Sequence, residues 1–214
     1  MVTNVNLRNP ALLAKMASTV DNISEGRLIV GLGVGDKMSV REVESYGYRF
    51  PPLEERLGRL RETIKVMRTL WSGKPVSVQG KFYTLSNAVC LPKPKQENGP
   101  PIWIGGRHHR LVGLAAELAD GWNHWGLAAG KVREREKLLL ERCSSLHRDP
   151  NSITQSWSGT IATETLSSAN PTERMRAQVF SEMGGRTDYF IASFPPNADC
   201  KAYEGFAEAV RSIS

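Results

Sequence analysis

The sequence predicts an α/β protein with parallel strands, because segments typical of strands and of helices alternate along it. From residue 27 onward we count five strand–helix units, and single crossover helices imply parallel neighbouring strands. The 214 residues suffice for a sizeable core, and 40% are hydrophobic and 23% charged, as is usual for a globular protein. We expect one domain over residues 1–214, since no linker or shift in composition interrupts the pattern.

The first half of the chain contains the clearest helix, over residues 50–73, where leucines, Ile64 and Met67 form an apolar stripe between two prolines and Gly73. A shorter helix is predicted over 10–21, with Asn9 as its N-cap and Pro10 in its first position. Other segments are assigned from their apolar pattern: a strand at 28–32, a short helix at 40–47 and a hairpin at 75–85 with a Gln79-Gly80 turn.

The second half repeats the strand–helix order down to the C-terminus. Short apolar runs predict strands, and longer segments with a 3.6-residue apolar period predict helices. The predicted strands are 102–106, 122–126, 156–163 and 187–195, and the predicted helices are 107–121, 131–147, 170–185 and 199–213.

Charge and cysteine content restrict the kind of partner. The net charge is +6 and the pI about 9.4, but no block of five like charges occurs, which favours solvated helix faces over a nucleic-acid surface. Three distant cysteines, Cys90, Cys143 and Cys200, fit buried thiols in a reducing cytoplasm. Neither a secretory signal nor an apolar run near the roughly 18 residues of a membrane span is found, so we expect a cytoplasmic protein without a membrane partner.

Glycines follow two of the predicted strands, where ligands gather in α/β folds. Gly105 and Gly106 end the strand at 102–106, and a helix begins directly afterwards. A helix N-terminus attracts phosphate through its unpaired N–H groups and its dipole, and Arg107 adds a guanidinium that binds phosphate oxygens. A tight strand–helix turn that needs a positive φ explains the same two glycines equally well.

Gly31, Gly33 and Gly35 do not form a dinucleotide-binding fingerprint, because the third glycine of that motif would fall on Asp36. We expect these glycines to let a flat ring lie against the backbone. Asp36 then positions or protonates a substrate, or it caps the short helix that follows, and the sequence leaves both readings open.

The histidines have weaker signals. His108 and His109 are adjacent, which is poor geometry for one metal, so we predict no metal site. His124 lies between Trp122 and Trp125 at a strand end, where it lines a pocket as donor or base, although a satisfied core histidine is the stronger expectation.

Several motifs in order resemble the luciferase-like monooxygenase family of flavin- and coenzyme F420-dependent oxidoreductases. They are RNPALLAKMASTVDNISEGRLIVGLGVGD, YGYRFPPLEERLGRLRETIKVMRTLWSG, VQGKFYTL, LPKPKQ, PPIWIGG and ELADGWN. The resemblance covers nearly the whole chain and is strongest over residues 9–123. It implies a TIM-barrel-like (β/α)8 fold that is incomplete here, lacking about the first three strands, because the chain begins where the third strand of the family ends.

The resemblance also assigns roles to residues. It implies that FMN or coenzyme F420 places its phosphate at Gly105, Gly106 and Arg107, and that the loop over residues 33–39, including Val34 and Gly35, borders the cofactor ring. Asp36 stands where the F420-dependent sugar-phosphate dehydrogenase branch has a glutamate that acts as the catalytic acid, and Ser39 where it has a cofactor-contacting asparagine.

The function implied is a flavin- or F420-dependent oxidoreductase or monooxygenase acting on a small organic substrate, with this chain a truncated form. The alternative is a non-catalytic flavin-binding or assembly protein derived from the same family. Open barrel edges would leave unpaired strands exposed, so we also expect a homo-oligomer that forms through them. A nucleic-acid partner is not expected, because the chain has no known nucleic-acid-binding motif.

Overall fold

The structure is a computed structural model that describes residues 2–183 and 185–211. The chain divides into two units, Met1–Gly105 with Leu118–Asp120, and Gly106–Glu117 with Gly121–Ser214. Parallel strands and helices occur in both, which confirms the predicted α/β class. The prediction of a single domain stays a prediction.

The first unit contains three parallel strands in the order β1, β2, β5, together with an antiparallel hairpin. Its parallel strands are β1 (Thr3–Asn4), β2 (Val30–Gly33) and β5 (Ile102–Gly105). Its helices are α1 (Pro10–Ile23), α2 (Val40–Ser45) and α3 (Leu53–Leu70), and the hairpin strands are β3 (Val76–Gln79) and β4 (Thr84–Ala88). All three helices were predicted, and β1 is an addition.

Helix α1 has two apolar faces. Asn9 caps it as predicted, because its side chain accepts the Ala11 N–H at 2.9 Å. One face is buried, and the Ala14 carbonyl on it accepts the indole N–H of Trp71 at 3.0 Å. The other face is exposed and carries Leu12, Met16, Val20 and Ile23.

The hairpin turn is built around Glu62 of α3. Its carboxylate accepts the backbone N–H groups of Lys81 at 2.8 Å, Phe82 at 2.9 Å and Tyr83 at 3.1 Å. The Gly80 N–H donates to the Tyr83 carbonyl at 3.0 Å, so the turn is centred on residues 81 and 82, two residues beyond the predicted Gln79-Gly80 position. The position differs because a carboxylate from helix α3 accepts the backbone N–H groups of the turn. Turn preferences read from neighbouring residues do not include such a long-range contact.

The second unit also contains three parallel strands, in the order β6, β7, β8. They are β6 (Gly121–Trp125), β7 (Thr154–Thr160) and β8 (Tyr189–Ser193). Its helices are α4 (His109–Leu118, whose last residue is assigned to the first unit), α5 (Ala129–Ser145), α6 (Thr163–Leu166), α7 (Pro171–Met183) and α8 (Cys200–Arg211). Each predicted element is present, and α6 is an addition. The predicted ends of the last two helices at residues 184 and 212–213 lie outside the described residues.

Aromatic side chains pack the later part of this unit. Ile161, Met175 and Ala209 are buried together, with Phe194 and Phe206 packed against them. Trp157 is 1% exposed, and its indole N–H donates to the Glu182 carboxylate of α7 at 3.3 Å.

Within residues 2–183 and 185–211, no helix has the length and apolar character needed to cross a membrane. Cys90, Cys143 and Cys200 form no disulfide, and burial raises the pKa of the first two thiols. A cytoplasmic location stays a prediction.

Candidate functional site

In the first unit, the loop that follows β2 is held by one arginine. The Arg56 guanidinium donates to the carbonyls of Val34 at 3.1 Å and Gly35 at 2.6 Å, and it lies 4.4 Å from the centre of the Phe50 ring. Burial lowers the pKa of Arg56, and the charge of Asp36 opposes that effect. Gly35 has φ +72°, so the loop turns where a side chain would be strained.

Asp36 is the N-cap of a 3₁₀ turn over Lys37–Ser39. Its carboxylate accepts the N–H groups of Met38 at 3.0 Å and Ser39 at 3.2 Å, and the hydroxyl of Ser39 lies 3.3 Å from the same oxygen. The Ser39 hydroxyl also accepts the Asp36 N–H at 3.3 Å, which completes a capping box. The capping role considered for Asp36 is therefore confirmed. Its catalytic role stays a prediction.

An amide pair at the end of β1 also supports this loop. Asn4 Oδ1 accepts the backbone N–H of Asn6 at 3.0 Å and its Nδ2 at 2.9 Å, while Asn6 Nδ2 also donates to the Val34 carbonyl at 2.9 Å. Asn4 Nδ2 and Asn6 Oδ1 are buried and have no hydrogen-bond partner within the described residues. The pair therefore presents an unused donor and an unused acceptor.

Val2 occupies the space above two of the predicted site glycines. A Cβ built on Gly33 would lie 3.0 Å from a Val2 methyl carbon, and one built on Gly105 would lie 2.5 Å from the other. A ring that lies against these glycines has to displace Val2, which is 41% exposed. Contact of Gly33, Val34, Gly35, Ser39 and Gly105 with a cofactor stays a prediction.

In the second unit, the turn into α4 is anchored to β6. The Gly106 N–H donates to the Asn123 carbonyl at 3.1 Å, and the Gly106 carbonyl accepts the Trp122 indole N–H at 2.9 Å. Gly106 has φ +145°, and a Cβ there would lie 2.5 Å from Leu111 Cδ1. The predicted need for glycine at this turn is met, but the Gly106 N–H is already used within the fold.

Arg107 is the charged group at this turn. Its Nη1 donates to the Gly126 carbonyl at 3.3 Å, and its guanidinium carbon lies 5.8 Å from the centre of the Trp125 ring. The backbone carbonyl of Arg107 accepts Nε of Arg135 at 3.1 Å. At the start of α4, His108 Nδ1 accepts the Arg110 N–H at 3.3 Å, and the His108 carbonyl accepts the Leu111 N–H at 2.9 Å. Two guanidinium groups therefore lie near the N-terminus of α4, which carries positive dipole charge.

His124 is enclosed in the second unit and only 1% exposed. Its ring lies 5.3 Å from that of Trp122, and neither ring nitrogen has a partner in the described part of the chain. Burial lowers the pKa of His124 to about 4, so the ring is neutral at pH 7. His124 is therefore a core residue, as expected, but its ring nitrogens have no hydrogen-bond partners among the described residues.

His108 and His109 stack with ring centres 4.3 Å apart. Within residues 2–183 and 185–211, no group of three or more His, Cys, Asp or Glu side chains is arranged to hold a metal ion.

Sequence reasoning missed the residues that hold the β2 loop from a distance. Arg56 has a detectable signal, because it lies at helical spacing from Leu53 and Leu60 and so interrupts the apolar stripe of α3 with a charge. The Asn4–Asn6 pair has no comparable signal, since asparagines near a chain's start are ordinary loop residues.

Comparison with known proteins identifies relatives. The sequence model described as luciferase-like monooxygenase matches residues 1–213. An F420-dependent glucose-6-phosphate dehydrogenase of Amycolatopsis mediterranei is 33% identical over 114 residues, which are 53% of this chain and 33% of the relative. A 5,10-methylenetetrahydromethanopterin reductase of Archaeoglobus fulgidus is 36% identical over 120 residues, which are 56% of this chain and 33% of the relative.

The fold is shared with an F420-dependent secondary alcohol dehydrogenase solved with an F420-acetone adduct. The TM-score is 0.84 at 20% identity, and the match covers 100% of this chain and 78% of that one. The matched part of this chain covers only about a third of the length of each of the two curated relatives described above.

Proposed function

This chain belongs to the luciferase-like monooxygenase family, and we propose that it functions as an oxidoreductase that uses F420 or FMN to act on a small organic substrate. The Arg107 guanidinium beside the N-terminus of α4 carries this proposal, since it joins a fixed positive charge to a helix dipole. F420 is favoured because the Amycolatopsis relative is F420-dependent.

The residues at this turn fit an anionic group. Arg107 lies against the Trp125 ring and the Gly126 carbonyl, neither of which neutralises its charge. Arg135 adds a second guanidinium through its bond to the Arg107 carbonyl. We propose that Arg107, supported by the positive end of the α4 dipole, binds the cofactor phosphate, with Gly105 and Gly106 giving the backbone its turn.

The redox chemistry belongs to the cofactor, which supplies hydride transfer or oxygen activation when bound. The chain's own residues bind and orient. In the first unit, Arg56 and Asn6 fix the carbonyls of Val34 and Gly35, so the loop over residues 33–39 keeps one shape. We propose that this loop borders the cofactor ring.

A second candidate function follows from Asp36. Its carboxylate already accepts two backbone N–H groups as a helix cap, so the structure accounts for this residue without any proton transfer. This favours a cofactor-binding protein without turnover over an enzyme in which Asp36 is the acid. If turnover survives in Asp36→Asn, the protein is an enzyme whose catalytic acid is a residue other than Asp36, and both readings fail.

Titration calorimetry with matched ligands tests the anion site. FMN and F420 are compared with riboflavin and with the F420 fragment that lacks phosphate. Arg107→Gln is expected to weaken binding of the phosphorylated ligands at least about tenfold, because a charge-assisted bond is lost, and to leave the others unchanged. Arg174→Gln on the exposed face of α7 is the control. Equal loss for both ligand classes would refute the phosphate assignment, and no binding of FMN or F420 would refute the function.

We also propose that the chain forms homo-oligomers through its open edges. Support comes from β1, a two-residue strand that pairs with β2 at the edge of the first unit's sheet, and from the exposed stripe of α1. That stripe runs along one side of the helix, as Leu12, Met16, Val20 and Ile23 follow at spacings of three to four residues. An apolar helix face of this length is typical of an interface.

A further inference from the structure

The amide pair Asn4–Asn6 has more hydrogen-bonding capacity than the fold uses. Asn4 Oδ1 must accept the Asn6 N–H, and Asn6 Nδ2 must donate to the Val34 carbonyl, so the orientation of both amides is determined. The atoms left over are Nδ2 of Asn4, a donor, and Oδ1 of Asn6, an acceptor. The two unused atoms belong to the two amide groups that the 2.9 Å bond joins.

A capping role alone does not account for this arrangement. An unpaired buried donor or acceptor destabilises a fold, and native structures contain few of them, so each one calls for an explanation. A serine or aspartate at position 4 would cap the 3₁₀ turn over Val5–Leu7 equally well and leave no buried N–H group unpaired. The hydroxyl of Thr3 is likewise buried without a partner in the described chain, so three unused polar groups collect at this strand end.

The surroundings suit a flat ligand. Gly33 pairs with Asn4 across β1 and β2, and a Cβ on Gly35 would lie 2.8 Å from Asn4 Nδ2, so only a glycine leaves room for that amide. These atoms lie at the carboxyl ends of parallel strands, where ligands bind in α/β folds. Val2 lies over the glycines but is 41% exposed and precedes a strand of two residues, so it can move without disturbing the core.

We propose that the Asn4–Asn6 pair binds the imide edge of a planar heterocycle, with Asn6 Oδ1 accepting a ring N–H and Asn4 Nδ2 donating to the adjacent ring carbonyl. This rests on the proposed function, because the rings of FMN and F420 both end in a pyrimidinedione that presents this N–H beside a carbonyl. The pair is then a specificity determinant that distinguishes an imide from rings lacking it.

Methylation of the ring nitrogen tests the proposal on the unaltered protein. FMN and F420, each in natural and N3-methylated form, are titrated by calorimetry. We expect N3-methylation to weaken binding at least about tenfold, because it removes the donor to Asn6 and adds bulk beside it. Binding of natural and methylated ligand within about twofold would overturn the proposal and leave the function standing. Failure of both natural ligands to bind would overturn the function and this inference together.

A conservative variant tests the other half of the pair. Asn4→Asp keeps the oxygen that caps Asn6 and replaces only the unused donor, so at pH 8 binding is expected to fall at least about tenfold. Asn9→Asp is the matched control, since its side chain caps α1 by the same oxygen chemistry. Unchanged binding in folded Asn4→Asp would overturn the proposal. Should that variant fail to fold, the N3-methyl comparison decides the matter.

Discussion

The carboxylate of Asp36 accepts the backbone N–H of Ser39 at 3.2 Å, and the Ser39 hydroxyl accepts the backbone N–H of Asp36 at 3.3 Å. This reciprocal cap explains, on structural grounds alone, why the loop after β2 has a carboxylate at position 36. Asp36→Ala is expected to lower the free energy of unfolding by about 1 kcal/mol, and Asp36→Asn by a few tenths, in urea denaturation. A loss of turnover in Asp36→Asn without loss of stability would show that the carboxylate also works as an acid.

The buried ring of His124 makes the protein sensitive to acid. Its pKa is lowered from 6.5 to about 4 by burial, so the unfolded chain takes up this proton at higher pH than the folded one. This difference in pKa therefore adds about 3 kcal/mol to the free energy of unfolding above pH 6.5. The added stability is lost as the pH falls toward 4.

Denaturation at several pH values checks this expectation. His124→Leu should flatten the loss of stability between pH 6.5 and 4, while the exposed His147→Asn should not. An unchanged pH profile in His124→Leu would show that other groups carry the acid sensitivity.

Glu62 stabilises the hairpin through three backbone N–H groups of the turn. Glu62→Ala leaves these donors without their acceptor and is expected to cost about 2–3 kcal/mol in thermal or urea unfolding. Glu62→Gln keeps one acceptor oxygen, so its stability is expected to lie between that of Glu62→Ala and that of the wild type. Equal stability of all three proteins would mean that water replaces the carboxylate at no cost.

Two glycines of the α4 region are expected to respond in opposite directions to alanine. Gly106 has φ +145° and Leu111 close to its missing side chain, so Gly106→Ala should destabilise the protein by about 1–3 kcal/mol. Gly113 lies inside the helix with open space around it, and Gly113→Ala should stabilise by about 0.5–1 kcal/mol. Differential scanning calorimetry measures both, and a destabilised Gly113→Ala would contradict the open surroundings.

The exposed stripe of α1 predicts the oligomeric state. The wild type is expected to sediment as an oligomer, and the double variant Met16→Glu with Ile23→Glu to sediment as a monomer, because charges there are costly to bury. Phe180→Glu, at a side chain 67% exposed on α7, is the control and should leave the wild-type behaviour unchanged. A monomeric wild type, or a double variant that still associates, would reject α1 as the interface.

Local sequence patterns predicted most of the fold. The spacing of Leu57, Leu60 and Ile64 identified α3, and Asn9 and Pro10 marked the start of α1, because these signals depend on residues within one turn of a helix. The two-residue strand β1 is too short to have a period, and its pairing with β2 depends on residues 29 positions away.

The site was predictable only in outline. The glycine requirement at Gly106 was visible, because a strand that ends in glycines before a helix is a local signal. That the Gly106 N–H binds Asn123, that Arg56 holds the β2 loop and that Val2 covers Gly33 were not visible, since each contact joins separate elements. Long-range contacts of polar side chains have no periodicity in the sequence.

The tryptophans provide an optical label for each unit. Trp71 donates its indole N–H to Ala14 in the first unit, and Trp157 donates to Glu182 in the second. Both rings are buried, so their emission is expected to shift to the red when water reaches them. In chains that keep only one of these two and in which Trp103, Trp122 and Trp125 are replaced, intrinsic fluorescence would show which unit loses its structure first, without any attached dye.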